Sequence, residues 1–265
     1  MRSFLTIVAA VNDEHVLAAN LLRSPMVASG KVPIYVEKGH CCAGSAYNAG
    51  LRRAASDYVI FTHQDIYFPT GWDERLRAAI ESLELSQTPW AIMGVWGVQE
   101  NGEFAGRVWC NANNREFVGN MGGVRQVVSF DEVVLVLKTS VGLRFDEQLP
   151  SFHLYGTDIV LEAKQRGFGS YAFDGPVIHN CRVAHLDASY GAAYTYMRRK
   201  WSHCLPITNC VVPVTRWGWP LIIQRLRGVL QRVRHRADDR PRLLDVRQLA
   251  VELGYEQRGK VGDHD

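Results

Sequence analysis

The chain has 265 residues, 47% of them hydrophobic and 22% charged, which supports one large core and excludes a disordered polymer. Its formal net charge of +3 is too small to mark a nucleic-acid binder by itself. No stretch reaches the roughly 20 apolar residues of a membrane span, and the first apolar run meets Asn12, Asp13 and Glu14 too soon for a secretory leader. The expected site of action is the cytoplasm, at most peripheral at the inner face of the membrane. Cys41, Cys42, Cys110, Cys181, Cys204 and Cys210 form no CxxC pair, so free thiols are expected rather than a zinc site or a disulfide framework.

Phe4 to Val11 (FLTIVAAV) is an apolar, β-branched run that predicts a buried parallel strand stopping at the polar Asn12-Asp13 turn. A helical period follows over Glu14 to Leu22. Val32 to Val36 predicts a second strand closed by Glu37-Lys38-Gly39. Ser45 to Ala55 alternates small and apolar residues as a helix does, and Tyr58 to Thr62 predicts a third strand ending in His63-Gln64-Asp65. Trp72 to Leu85 is an amphipathic helix and Trp90 to Val98 another strand. Gly102 to Arg125, rich in Gly and Asn, reads as irregular loop. Gln126 to Lys138 is strand-like but interrupted by Asp131-Glu132; Asp158 to Arg166 is a helix stopped by Gly167. Short extended segments at 171–173 and 176–178 lead to His179.

Strands alternating with helices predict an α/β fold: right-handed βαβ units around a mostly parallel, Rossmann-like sheet flanked by helices. Ligands of such sheets bind outside the carboxyl ends of the strands. Three consecutive strand ends carry Asn12-Asp13, Glu37 and His63-Gln64-Asp65, which defines one crevice.

Asp65, at the tip of an apolar strand, is suited to a hard divalent cation that also binds a diphosphate. His63 lies two residues earlier and projects to the same side. A polar turn after a strand explains the triplet equally well. Asp158 sits in the first turn of its helix, where the helix dipole alone accounts for it; the functional alternative is a general base for an acceptor hydroxyl. His179, at a strand end, is either structural or a neutral imidazole ligand. Asp131 and Glu132 interrupt an apolar strand, where unpaired charge is costly, so they face a ligand or sit at a bulge. Trp72, Trp96 and Trp109 are either core or platforms for sugar rings.

Taken together, these blocks resemble the family-2-like glycosyltransferases, in particular a subgroup with His-Gln-Asp where others carry Asp-x-Asp. The matching segments are Ala46 to Leu76, Phe130 to Lys138 and Arg144 to Phe168, and the resemblance runs from about Phe4 to Leu205. It implies a GT-A fold and inverting transfer of a sugar, hexosyl or related, from a nucleotide-diphosphate donor to an acceptor hydroxyl in cell-envelope or other glycan biosynthesis. It implies Mg²⁺ or Mn²⁺ held by Asp65 and His179, with His63 as a further ligand. It places Asp158 as catalytic base, Asn12 and Glu37 at the nucleoside and Asn48 in a helix lining the donor pocket. The departures are His63 for the first Asp of the motif, Glu37 for the more usual Asp or Asn, and Tyr47 for a frequent Arg.

Two alternatives accompany this reading. A nucleotidyltransferase is disfavoured by the acidic turn Asn12-Asp13-Glu14, where that chemistry wants a Gly-rich, basic loop. A non-catalytic nucleotide-sugar or glycan binding module on the same fold stays open because of His63. The expected division is a catalytic domain over 1–205 and, over 206–265, a basic amphipathic extension with a polar, mobile tail beyond Asp238. Within it, residues 217–236 combine Trp, Leu and Ile with Arg225, Arg227, Arg232, Arg234 and Arg236. That suits either a membrane surface, hence a lipid-linked or other glycan acceptor, or packing on protein.

Overall fold

The structure, a computed structural model, describes residues 3–182, 186–234 and 240–257. The first half builds β1 (Ser3–Val11), α1 (Glu14–Ala19), α2 (Pro25–Ala28), β2 (Ile34–Lys38), α3 (Ala43–Arg53), β3 (Ser56–His63), β4 (Ile66–Tyr67), α4 (Trp72–Leu85), β5 (Trp90–Gly94) and β6 (Trp96–Val98). There follow β7 (Phe104–Cys110), β8 (Arg115–Val118), β9 (Arg125–Gln126), β10 (Ser129–Phe130), β11 (Val134–Lys138), α5 (Tyr155–Gln165), β12 (Gly169–Ala172) and β13 (Val177–His179). The chain closes with α6 (Ala188–Lys200), α7 (Trp219–Arg234) and α8 (Val246–Glu252).

The main sheet has the order β2-β1-β3-β11-β5-β12-β9. Its strands β2, β1, β3, β5 and β12 run one way, while β11 is antiparallel to both its neighbours and β9 to β12. The expected α/β architecture is therefore present, with a reversed strand at its centre. Alternate residues divide between the two faces, as the period-2 geometry of a strand requires. Val8, Val59, Phe61, Leu135 and Leu137 join α3, α5 and α6 in one core. Ile7, Ala9, Ile60, Val134 and Val136 join α4 and the α1–α2 region in another. Burial on both faces is why these strands read as unbroken apolar runs.

The small residues of α3 let it lie close. A Cβ added at Gly50 would come within 2.3 Å of a Val8 methyl, and one at Gly44 within 2.2 Å of the Asp146 carbonyl.

A second sheet, β10-β6-β7-β13-β4 with β8 on the far side of β7, sits at the carboxyl ends of the first. It overturns three expectations. The 102–125 stretch contains the paired strands β7 and β8, because backbone pairing and the burial of Ala105 and Val108 outweigh its Gly and Asn content. The strand expected over 90–98 breaks at Val95 and hands β6 to the second sheet. The run 126–138 likewise splits into β9, β10 and β11, the Asp131-Glu132 step being the transfer point between sheets.

The stretch after residue 205 packs against the part of the chain that precedes it. Ile207, Val212, Val214 and Leu221 belong to the main core. In α8 and beyond, Val246, Ala250 and Tyr255 pack on Tyr67 and Ile178. Residues 240–257 are thus a docked segment and not a polar tail: the Val246/Ala250 spacing is one apolar helix face, begun by an Asp245 cap on the Arg247 and Gln248 amides. Arg236 and the rest of the expected tail from 258 onward lie outside the described residues. Trp72 is 1% exposed and Trp96 stacks on Phe104, which makes both core residues.

Candidate functional site

The parallel register aligns three strand ends. Ala10 of β1 lies beside Glu37 of β2 and beside His63 of β3. Just past β3 the chain turns into β4, which pairs antiparallel with β13 and sets His179 opposite Ile66. The Asn180 amide donates to the Asp65 carbonyl at 2.9 Å. This pairing, between segments far apart in the chain, brings His63, Asp65 and His179 together, each offering one ligand atom within 4.8 Å of the others. His63 and Asp65 line a cleft of about 740 Å³, shared with Asn12, Glu37, His40 and Phe152.

Each member is oriented by a neighbour. The Tyr155 hydroxyl donates to the Glu132 carbonyl at 2.7 Å, so its proton is committed. The 3.0 Å contact between His63 Nε2 and that hydroxyl therefore has the imidazole donating, which leaves Nδ1 with the free lone pair. Burial pushes His63 down to about 4, so the ring is neutral at pH 7. Asp65 feels an opposing burial penalty, but His179, His63 and Arg242 together hold its carboxyl well below the usual range. His179 Nε2 lies 3.5 Å from Asp65 Oδ1; burial disfavours its charge, yet the Asp65 carboxylate raises it overall. Two imidazoles and an ionised carboxylate, with a hydroxyl fixing one tautomer, fit a divalent cation that accepts nitrogen and oxygen ligands.

Three residues of this site carry no role in the sequence reading. Gln64, the middle of the triplet, accepts from the Asn12 and Asp13 amides at 2.9 Å each and donates to Asn12 Oδ1 at 2.5 Å. It fastens the β1–α1 turn to the end of β3. Tyr155 fixes His63, as above. Arg242 reaches in from the segment before α8 and places Nη2 at 3.5 Å from Asp65 Oδ2. It is anchored by its neighbours: the Leu243 amide donates to Asn180 Oδ1 at 2.8 Å and Asn111 Nδ2 to the Pro241 carbonyl at 3.0 Å.

The remaining candidates are distributed as follows. Asn12 and Glu37 line the cleft, with Glu37 held by Arg53 at 3.0 Å and by His40 at 3.4 Å. Asn48 is 3% exposed and spends its side-chain amide on both the carbonyl and the backbone N–H of Phe145, so it braces α3 against the 143–147 loop and does not line the cleft. Asp158 is 1% exposed. It accepts from Trp201 Nε1 at 2.7 Å and from Lys200 at 3.0 Å, so its oxygens are engaged in the core and no cleft wall carries it. The expected base is thus not among the residues that line the cleft, its side chain being turned into the α5–α6 packing. Asp131 does not line the cleft either; its charge helps Asp65 to raise the His179 imidazole.

No protein-family model matches the chain. Among curated proteins, "ATP synthase subunits region ORF 6" of Fuscovulum blasticum is 30% identical over 177 residues, 61% of this chain and 67% of that one. The chain belongs to the ORF 6 family. That family name states no activity. Among solved structures, a mannosyltransferase of Pyrobaculum calidifontis in complex with GDP-Man and Mn²⁺ is 10% identical with a TM-score of 0.47, covering 87% of this chain and 70% of its own. A fragment of S. aureus TarS in complex with UDP is 10% identical with a TM-score of 0.48, covering 94% and 75%. Likeness at this level decides nothing about what this chain binds.

Proposed function

We propose that the protein is an inverting glycosyltransferase of GT-A type that takes a sugar from a nucleotide diphosphate to an acceptor hydroxyl. The observation that carries this is the His63, Asp65 and His179 cluster at the carboxyl ends of parallel strands, beside a cleft large enough for a nucleotide sugar. Sequence blocks like those of family-2-like glycosyltransferases support it.

In this reading His63 through Nδ1, Asp65 and His179 hold Mg²⁺ or Mn²⁺. Bound there, the cation would neutralise charge on the departing diphosphate. Asn12 and Glu37, in the wall formed by the β1 and β2 ends, contact the nucleoside. Arg242 supplies a second positive charge on the diphosphate side, since its guanidinium already faces Asp65. The acceptor's proton goes to one of two carboxylates, neither of which lines the cleft: Asp158, which must first leave Lys200 and Trp201, or Asp131, whose carboxyl burial raises. The acceptor is a glycan or a lipid-linked glycan of the cell envelope.

The burial of Asp158 favours one rival, a non-catalytic nucleotide-sugar binding module. Thermal shift against a panel of nucleotide diphosphates, with and without Mn²⁺, tests the binding that both share. A metal-dependent rise for one nucleotide, lost in Asp65→Ala, is expected; no rise with any nucleotide refutes both. Loss of donor hydrolysis and transfer in Asp158→Asn or Asp131→Asn, with nucleotide binding intact, then separates the enzyme from the module.

A further inference from the structure

Helix α7 is amphipathic in an inverted sense. On its inner side Leu221 is 7% exposed and packs in the main core. Arg225 ties the same side down, donating Nε to the Leu186 carbonyl at 2.9 Å and Nη2 to the Asp187 carbonyl. The opposite side should be polar in a helix docked on its own domain. Instead Trp219, Ile222, Ile223 and Leu226 are 63%, 46%, 45% and 60% exposed, with Trp217 at 73% just before them. Positions 219, 222, 223 and 226 follow the i, i+3, i+4, i+7 spacing of a single stripe. A contiguous apolar stripe aimed at water marks a docking surface.

Its charge identifies the occupant. Between Asp187 and Asp238 the sequence holds no Asp or Glu and nine Arg or Lys. Arg216 and Arg227 flank the stripe. A second copy of the chain docking by a two-fold axis would set this basic stretch against itself, with no acidic residue of the stretch to relieve it. A nucleic acid would leave the Trp and Ile side chains wet. An anionic lipid bilayer takes both parts: headgroups for the arginines, and the acyl boundary for the apolar side chains, with the indoles at the interface. None of the described helices is long and apolar enough to cross a membrane, so the contact is one of lying on the surface.

We infer that α7 with the preceding Arg216-Trp217 turn is a docking surface for an anionic lipid bilayer. The inference stands apart from the sugar-transfer reading and, where both hold, favours the lipid-linked class of acceptor.

The test is flotation of the full chain, without sugar donor, on vesicles of phosphatidylcholine alone and with one third phosphatidylglycerol. Binding to the anionic vesicles only is expected, together with a blue shift of tryptophan emission and weakening as salt is raised. The triple change Trp217→Ser, Trp219→Ser, Ile223→Ser and, separately, the pair Arg216→Glu, Arg227→Glu are each expected to weaken binding at least about tenfold. None of these five side chains belongs to the core, so both variants should keep the wild-type melting temperature. Equal binding to neutral and anionic vesicles, binding to neither, or variants that float like the wild type would overturn the inference. So would a wild-type dimer by light scattering that the serine variant converts to monomer, since a second copy then covers the stripe.

Discussion

Removing the Asp158 carboxylate should weaken the fold before it touches any chemistry. In Asp158→Ala the indole of Trp201, 2% exposed, keeps its N–H but loses its 2.7 Å acceptor; an orphaned buried donor costs about 1–3 kcal/mol. Lys200 loses one of three anionic partners but keeps Asp146 at 2.8 Å and Glu162 at 3.0 Å. Breaking a buried ion pair costs about 3–5 kcal/mol in full. The Lys200 side chain is 21% exposed and doubly compensated, so only a fraction of that applies. The sum is about 2–4 kcal/mol, or a fall in Tm of roughly 5–15 °C for a domain of this size. Asp158→Asn still offers the indole an acceptor oxygen and loses only the charge, so it should fall by less than half as much. Thermal and urea melts at pH 7 of wild type and both variants provide the reading, with the Cm tracking the Tm. If both variants melt within about 2 °C of wild type while transfer disappears, the carboxylate serves the reaction and the structural argument fails.

Gln64→Glu should loosen the β1–α1 turn, because a carboxylate cannot donate to Asn12 Oδ1; nucleotide affinity is expected to drop about tenfold or more with a small change in Tm, and unchanged affinity by calorimetry would refute the staple. Tyr155→Phe removes the acceptor that fixes the His63 tautomer, so metal affinity should fall about 10–100-fold; a titration with Mn²⁺ giving wild-type affinity argues against the tautomer assignment. Glu132 has its carboxyl raised by burial and then by the charge of Asp131. The folded state thus keeps a proton that the unfolded chain has already lost, and stability falls as pH climbs from the ordinary carboxylate range towards about 8. Glu132→Gln removes that slope, so its Tm advantage over wild type should widen between about pH 5 and about pH 8; a constant offset across that window contradicts the burial argument. In Gly50→Val the new Cβ would meet a Val8 methyl at 2.3 Å, and the overpacking should cost about 1–3 kcal/mol; a wild-type melt would mean that α3 can move away from β1.

Much of the crevice is legible in the sequence because its residues stand at strand ends, and strand ends are visible wherever an apolar run meets a polar cluster. Asn12, Glu37, His63 and Asp65 all announce themselves that way. His179 follows the same logic, but its partnership with Asp65 depends on β13 pairing with β4, a two-residue strand with no signature of its own. Arg242 has no local signal at all: it lies in a polar stretch, and only long-range docking through Asn180 and Asn111 brings it to the site. Asp158 is legible in its place but not in its surroundings. It does stand in a helix's first turn, as its sequence context indicates, but spacing does not say which way a first-turn side chain faces. The β7–β8 pair is hidden because Gly and Asn mask a pairing that depends on tertiary burial.

The anchoring of Arg242 bears on when the protein becomes competent. Chains emerge from the ribosome amino end first, and domains begin to fold as they emerge. The three aligned strand ends belong to the first quarter of the sequence, yet their cleft gains its guanidinium only with residue 242. A nascent chain can therefore assemble its sheet early while Asp65 still lacks that counter-charge. Completion of the wall comes late in synthesis, and a chain cut short before residue 242 would lack both that counter-charge and the packing of Val246, Ala250 and Tyr255 on Tyr67 and Ile178.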